Sequence, residues 1–147
     1  MSEKTVLRLL EAKKLHSRIA KKNVTEAHLE LAQIQAIIKE LQDQLETQLK
    51  EAPKKRSQAF SKALASELTV TTYANVCNIY EIIDKDILNQ QNTIVRNQNK
   101  EQFALTKLKR AQQKMAQCLQ KEEKIRQLAT IKGREIAVRA ALLGEDA

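Results

Sequence analysis

The chain is predicted to be all-α, a long antiparallel two-helix coiled-coil hairpin. Helix breakers are scarce: Pro53 is the only proline, and Gly133 and Gly144 are the only glycines. The runs 2–52 and 71–132 contain neither, and are crowded with Leu, Ala, Glu, Lys, Gln and Arg, which lose little side-chain entropy in a helix. Apolar or small residues recur at alternating spacings of three and four, from Val24 through Ala27, Leu31, Ile34, Ile38 and Leu41 to Leu45. That mean period of about 3.5 residues is a coiled-coil seam. Aromatics are 3% and charged residues 30% of the chain, which suits a narrow seam with two wet sides better than a thick globular core.

Helix one is expected over about 3–51. Carried backwards, its frame lands on Ala20, Ser17, Lys13, Leu10 and Val6, so the seam turns partly polar near the N-terminus. Glu26 and Glu30 are like charges at i, i+4, whereas Glu46 and Lys50 form a favourable pair worth a few tenths of a kcal/mol. Pro53 disfavours helical geometry at the preceding residue, so a connector is expected over about 53–71, with room for a helical turn between Ala59 and Leu64. The stretch from Leu68 to Tyr73 is β-branched but has no partner strand. It reads as the approach to a helix capped by Thr71 or Thr72.

Helix two is expected over about 72–142. Its apolar positions begin with Val76, Ile79, Ile83, Ile87 and Ile94. They continue with Leu105, Leu108, Met115, Leu119, Ile125, Leu128, Ile131 and Ile136. Between Asn89 and Gln102 the side chains are almost all polar, and the seam is expected to fall on Gln91, Gln98 and Glu101, softening the middle of the hairpin. Gly133 costs about 1 kcal/mol relative to Ala in a helix interior, so fraying is expected beyond it, with Gly144 as the stop.

The 147 residues point to one domain. No apolar run approaches a membrane span, and the N-terminus has no signal-peptide apolar block, so a soluble, unexported protein is expected. Cys77 and Cys118 lie 41 residues apart, about 60 Å along one helix, too far for a disulfide; they read as buried structural thiols in a reducing compartment. The formal charge of +8 is uneven. Residues 1–22 carry seven bases against two acids, residues 23–52 two against six, and residues 96–139 twelve against four. A hairpin brings both chain ends to one basic tip, which implies an acidic partner or nucleic acid there.

Catalytic constellations are missing. His16 and His28 are twelve residues apart, about 18 Å on a helix, and cannot share a metal. There is no glycine-rich phosphate loop, nucleophile elbow or paired-cysteine zinc spacing, and a two-helix object offers no desolvated pocket to tune a carboxylate. The chain is read as a non-enzyme without a cofactor. Basic stretches such as Lys107–Arg110 and Arg134–Arg139 suit phosphates, but Phe60, Tyr73, Tyr80 and Phe103 are scattered and build no stacking platform, so no specific nucleic acid is expected. The stripe Val76, Ile79, Ile83, Ile87 either packs within the hairpin or remains open for another protein.

The order of features resembles a known family. A helix opening Thr-Val-Leu-Arg-Leu-Leu-Glu-Ala-Lys-Lys precedes alanine-rich heptads and a polar connector. An aliphatic helix start with Ile79, Ile83, Ile87 and Gln90 follows, then a basic helix rich in Gln and Lys. This is similar to the FliJ/YscO family, the central-stalk components of flagellar and virulence type III secretion ATPases. The resemblance implies an antiparallel coiled coil whose paired ends enter the pore of the hexameric export ATPase. Its other end would touch the cytoplasmic domain of the export gate protein, and export chaperones are further partners. It also implies a cytoplasmic protein, peripheral to the inner-membrane export apparatus, without membrane insertion.

On this resemblance the ATPase contacts are Lys13, Lys14, Lys21, Lys22, Arg126, Lys132 and Arg134. The gate contacts are Ile79, Ile83, Asp86 and Gln90. Ile79 stands where the family often has an aromatic, Asp86 where a small residue is usual, and the acidic ending is reduced to Glu145 and Asp146. Two other readings are a basic coiled-coil adaptor that binds nucleic acid and a coiled-coil scaffold or chaperone. Leu29 and Ile37 flank the seam and would widen it for a dimer of hairpins.

Overall fold

The computed structural model describes residues 2–67 and 69–144. It is an all-α hairpin of two long helices packed against each other, α1 (Glu3–Ala65) and α2 (Val70–Gly144), with no strand among the described residues. Glu145 and Asp146 lie outside the described residues. None of these helices is long and apolar enough to cross a membrane.

Both helices start on the same device. Ser2 Oγ accepts the Thr5 N–H at 3.2 Å, and the Ser2 carbonyl accepts the Val6 N–H. At α2, Thr69 Oγ1 accepts the Thr72 N–H at 3.2 Å, and the Thr72 hydroxyl donates back to the Glu67 carbonyl. Each arrangement satisfies backbone groups that the first helical turn leaves without partners. The cap of α2 is therefore Thr69, not Thr71 or Thr72, which already belong to the first turn. At the end of α1 the Ser66 hydroxyl donates to the carbonyls of Lys62 and Ala63.

The expected break at Pro53 does not occur. α1 runs through the proline to Ala65, so the connector shrinks from 53–71 to 66–69 and helix two starts at Val70. The physical reason is tertiary. Ala52 and Ala63 are buried and Ala59 is half-buried, so the inward stripe continues past the proline. The Arg56 guanidinium pairs with Asp84 of α2 and lies 5.9 Å from the Tyr80 ring centroid, while the Tyr80 hydroxyl donates to the Arg56 carbonyl. Packing against a second helix outweighs a local preference, as it does for most helical stability in proteins.

The chain divides into two compact units, a terminal one (Met1–Glu30 with Ala104–Ala147) and a mid-chain one (Leu31–Phe103). In the terminal unit the inward positions of α1 are Val6, Leu10, Lys13, Ser17, Ala20, Val24 and Ala27, alternating by four and three. Val6 is fully buried. α2 supplies Ala104, Leu108, Ala111, Met115, Cys118, Glu122, Ile125, Ala129 and Lys132. Leu105, Leu119 and Leu128 flank that row half-buried, whereas Ile131 and Ile136 are exposed. In the mid-chain unit α1 turns Leu31, Ile34, Ile38, Leu41, Leu45, Gln48 and Ala52 inward, and α2 turns Val76, Tyr80, Ile83, Ile87, Gln90, Ile94, Asn97 and Glu101.

The polar stretch of α2 is thus in a different register from the one expected. Gln91 and Gln98 are exposed, and Gln90 and Asn97 face inward beside Glu101. The reason is visible in the bonds: Gln90 Nε2 donates to the Leu41 carbonyl at 3.1 Å and to Gln44 Oε1 at 3.2 Å, while Asn97 Nδ2 donates to the Thr93 carbonyl of its own helix. Glu26 and Glu30 are each offset by a lysine, Lys22 and Lys107, and the Glu46–Lys50 pair closes at 3.1 Å. These exposed pairs contribute between about 0 and 1 kcal/mol each. Cys77 and Cys118 are free thiols, half-buried where full burial was expected.

Helical geometry continues through Gly133 to Gly144, although every side chain from Arg134 to Leu143 is exposed. A Cβ added at Gly133 would meet nothing within 4 Å. Gly133→Ala is therefore expected to stabilise this stretch by about 1 kcal/mol, read as increased helicity by circular dichroism and slower amide exchange over 130–143. Unchanged exchange there would show that the backbone entropy of Gly133 does not limit this helix.

Candidate partner-binding surfaces

The terminal unit holds 17 of the 26 Lys and Arg but nine of the 18 acids, so the whole formal charge of +8 belongs to it and the mid-chain unit is neutral. The seven basic residues expected to contact an ATPase all lie in this unit, but not in one constellation. Lys14, Lys21 and Arg126 gather around one carboxylate, Glu122, which occupies an inward position of α2 and whose side chain is 12% exposed. Arg126 reaches Glu122 at 2.8 Å and Glu123 at 3.4 Å. Lys22 pairs with Glu26 at 3.8 Å, and Lys132 with Glu135 at 3.5 Å. Arg134 borders a shallow recess of about 440 Å³ with Ile131, Glu135, Val138 and Arg139. Lys13 belongs elsewhere: with Lys114 and Lys121 it lines a groove of about 420 Å³.

Glu122 faces the buried Ser17 of α1, a polar layer in a stripe that is mostly apolar and rich in alanine. The Ser17 hydroxyl makes no hydrogen bond of full geometry, yet its attraction for Glu122 is the largest influence holding that carboxyl below the usual carboxylate range. Desolvation opposes the shift, and the positive charges of Arg126, Lys21 and Lys14 reinforce it. Sequence reading marked Ser17 as a polar seam position but missed Glu122. Its signal was position: of the adjacent acids Glu122 and Glu123, Glu122 falls three residues before Ile125 and four after Cys118, in step with the stripe.

In the mid-chain unit, Ile79, Ile83 and Asp86 come together. They line a groove of about 330 Å³ with Ile82 of α2 and Lys55, Gln58, Ala59 and Lys62 of α1. Ile79 remains 40% exposed, so an aliphatic floor is open to solvent between two lysines and an aspartate. Gln90, the fourth residue of that set, does not share the groove; both hydrogens of its amide are engaged by α1, and it holds the two helices together. The stripe expected at Val76, Ile79, Ile83 and Ile87 is split, with Tyr80 taking the inward place and Ile79 turning out.

His16 and His28 are both exposed, and His16 borders the terminal-unit groove. Among the described residues no group of three or more His, Cys, Asp or Glu could hold a metal ion. What the two surfaces offer is binding chemistry: clustered ammonium groups in one unit, an aliphatic groove with charged edges in the other. No protein-family model, curated protein or solved structure matches this chain.

Proposed function

We propose that this protein is the non-catalytic central stalk of a type III protein-export apparatus, flagellar or injectisome. In this reading its basic terminal unit docks in the hexameric export ATPase, and its mid-chain groove meets the cytoplasmic domain of the export gate. The observation that carries the reading is the placement of the entire +8 charge in the unit that holds both chain ends. A terminal unit that carries the charge and a neutral mid-chain unit with an aliphatic groove offer chemistry for two different partners. The resemblance of the α1 opening and of the Ile79–Gln90 stretch to the FliJ/YscO family supplies the partners' identity. Gln90 serves the hairpin itself, so gate contact in this reading rests on Ile79, Ile82, Ile83 and Asp86.

The test is stimulation of ATP hydrolysis by the purified export ATPase. The chain alone is expected to hydrolyse nothing, and to raise the rate of the ATPase several-fold. Replacing Lys14, Lys21 and Lys22 together by Gln is expected to remove that stimulation while the helical spectrum persists. Full stimulation by this variant would sink the docking assignment.

The same charge concentration favours one second reading, a coiled-coil adaptor on nucleic acid. It predicts affinity that falls steeply with salt and ignores base sequence. Nuclease-sensitive association in source-cell lysate, without recovery of an ATPase, would select it.

A further inference from the structure

One row of α2 carries lysines a heptad apart, Lys107, Lys114 and Lys121, each about 10.5 Å beyond the last along the helix. The facing row of α1 runs the other way with the same repeat, Glu30, Asn23 and His16. The first pair is closed, Lys107 Nζ lying 3.0 Å from Glu30 Oε2. One and two heptads further on, α1 offers an amide and an imidazole in place of a carboxylate. There the two rows border the 420 Å³ groove, whose floor is Ile19, Ala20 and Cys118 and whose third ammonium is Lys13. No acid lines it, and among the described residues no carboxylate pairs with Lys13, Lys114 or Lys121.

We infer that this groove is a docking site for an acidic amphipathic helix of a partner protein. The occupant lies along the two helices as a third strand of the coiled coil. Its repeat then matches that of α2, so two carboxylates seven residues apart meet Lys114 and Lys121 together, as Glu30 meets Lys107. Apolar side chains at the intervening third and fourth positions fall on Ile19, Ala20 and Cys118. An apolar floor with cationic edges favours this occupant over a bare polyanion, which would leave Ile19, half exposed in the free protein, uncovered. The inference does not rest on the stalk reading: of the groove's three ammonium groups only Lys13 is among the residues assigned to the ATPase, and the pair that reads the acidic repeat, Lys114 and Lys121, is not.

The experiment measures fluorescence anisotropy of labelled helical peptides against the full chain. One probe carries Glu at two positions seven residues apart with Leu between them on the same face; its control has the same composition with the Glu residues moved to the opposite face. The matched probe is expected to bind, and the control to bind at least about tenfold more weakly. Lys114→Glu with Lys121→Glu is expected to cost the matched probe about tenfold, whereas Lys54→Glu with Lys85→Glu, exposed in the mid-chain unit and outside its groove, changes nothing. Circular dichroism verifies that both variants fold. Equal binding of the two peptides, no binding of either, or indifference to the Lys114 and Lys121 substitutions would each overturn the proposal. Inorganic polyphosphate or duplex DNA displacing the probe in equimolar competition would make the groove a polyanion site instead. A dimer in sedimentation velocity that the same two substitutions dissociate would assign the groove to a second copy of this chain.

Discussion

Pro53→Ala is expected to stabilise the protein by about 3 kcal/mol, the difference between proline and alanine in a helix interior. For a chain of this size that raises Tm by roughly 6–12 °C. The proline has no N–H to offer the Leu49 carbonyl four residues back, and its ring presses on that carbonyl. Its side chain is exposed, so alanine removes no buried contact. The measurement is thermal unfolding of both proteins by circular dichroism. A change below about 1 kcal/mol would mean that residues 49–57 do not carry a continuous helix, because proline in a loop imposes no such cost. The prediction therefore tests the one stretch where local preference and packing disagree most openly.

Glu122→Gln is expected to destabilise the folded state at neutral pH and to have little effect in acid. The carboxyl is held below its ordinary value of 4.5 in the folded protein. As pH falls, the unfolded state takes up the proton first, so folding stability declines. The stabilisation from this group is thus fully present above the ordinary value and disappears as pH falls through the folded one. Urea unfolding at steps from neutral pH to about pH 3 should show the two proteins converging on the acid side. A gap independent of pH would contradict the charge-based account. Glu26→Gln serves as the comparison, because its pair with Lys22 is exposed and its removal costs at most about 1 kcal/mol. The larger effect at Glu122 follows from position: its carboxylate faces the buried Ser17, and the amide would remove the charge that answers Arg126, Lys21 and Lys14.

These two sites also show where sequence reading succeeds and where it stops. The heptads from Val24 to Leu45 were plain, and carrying the frame back to Ser17 and Val6 located buried side chains more than a turn beyond the last aliphatic run. The register of α2 was harder because isoleucines and polar residues compete for it. Reading Val76, Ile79, Ile83 and Ile87 as one stripe ignored Tyr80, which a simple aliphatic count does not favour but which reaches Arg56 across the hairpin. That choice carried the polar segment one residue out of step, onto Gln91 and Gln98 instead of Gln90 and Asn97. The same step made Gln90 look like a surface residue, when its amide is spent on Leu41 and Gln44.

The candidate surfaces were legible in charge and illegible in geometry. That the chain ends are basic followed from counting, and Ile79, Ile83 and Asp86 do share a groove. That Lys13 parts from Lys14, and joins Lys114, Lys121 and His16, depends on which side of each inward row faces the other helix. A spacing of seven residues along α2 was present in the sequence all along. It acquires meaning only once Glu30 is seen to answer the first lysine and Asn23 and His16 fail to answer the next two.

The sequence by itself determined that this protein is two long helices with a narrow, alanine-rich seam and a surplus of positive charge at its chain ends. Composition and heptad spacing are local properties, and each residue contributes to them without reference to its partners. Only the tertiary structure decided that α1 passes through Pro53, that Gln90 rather than Gln91 turns inward, and that Glu122 faces the buried Ser17 with Arg126 beside it. Each of those outcomes is a competition between a local preference of a few kcal/mol or less and contacts made across the hairpin. Residues at the crossing, such as Arg56 with Asp84 and Ser17 with Glu122, are far apart in sequence, so their interaction energy exists only after the chain has turned back on itself.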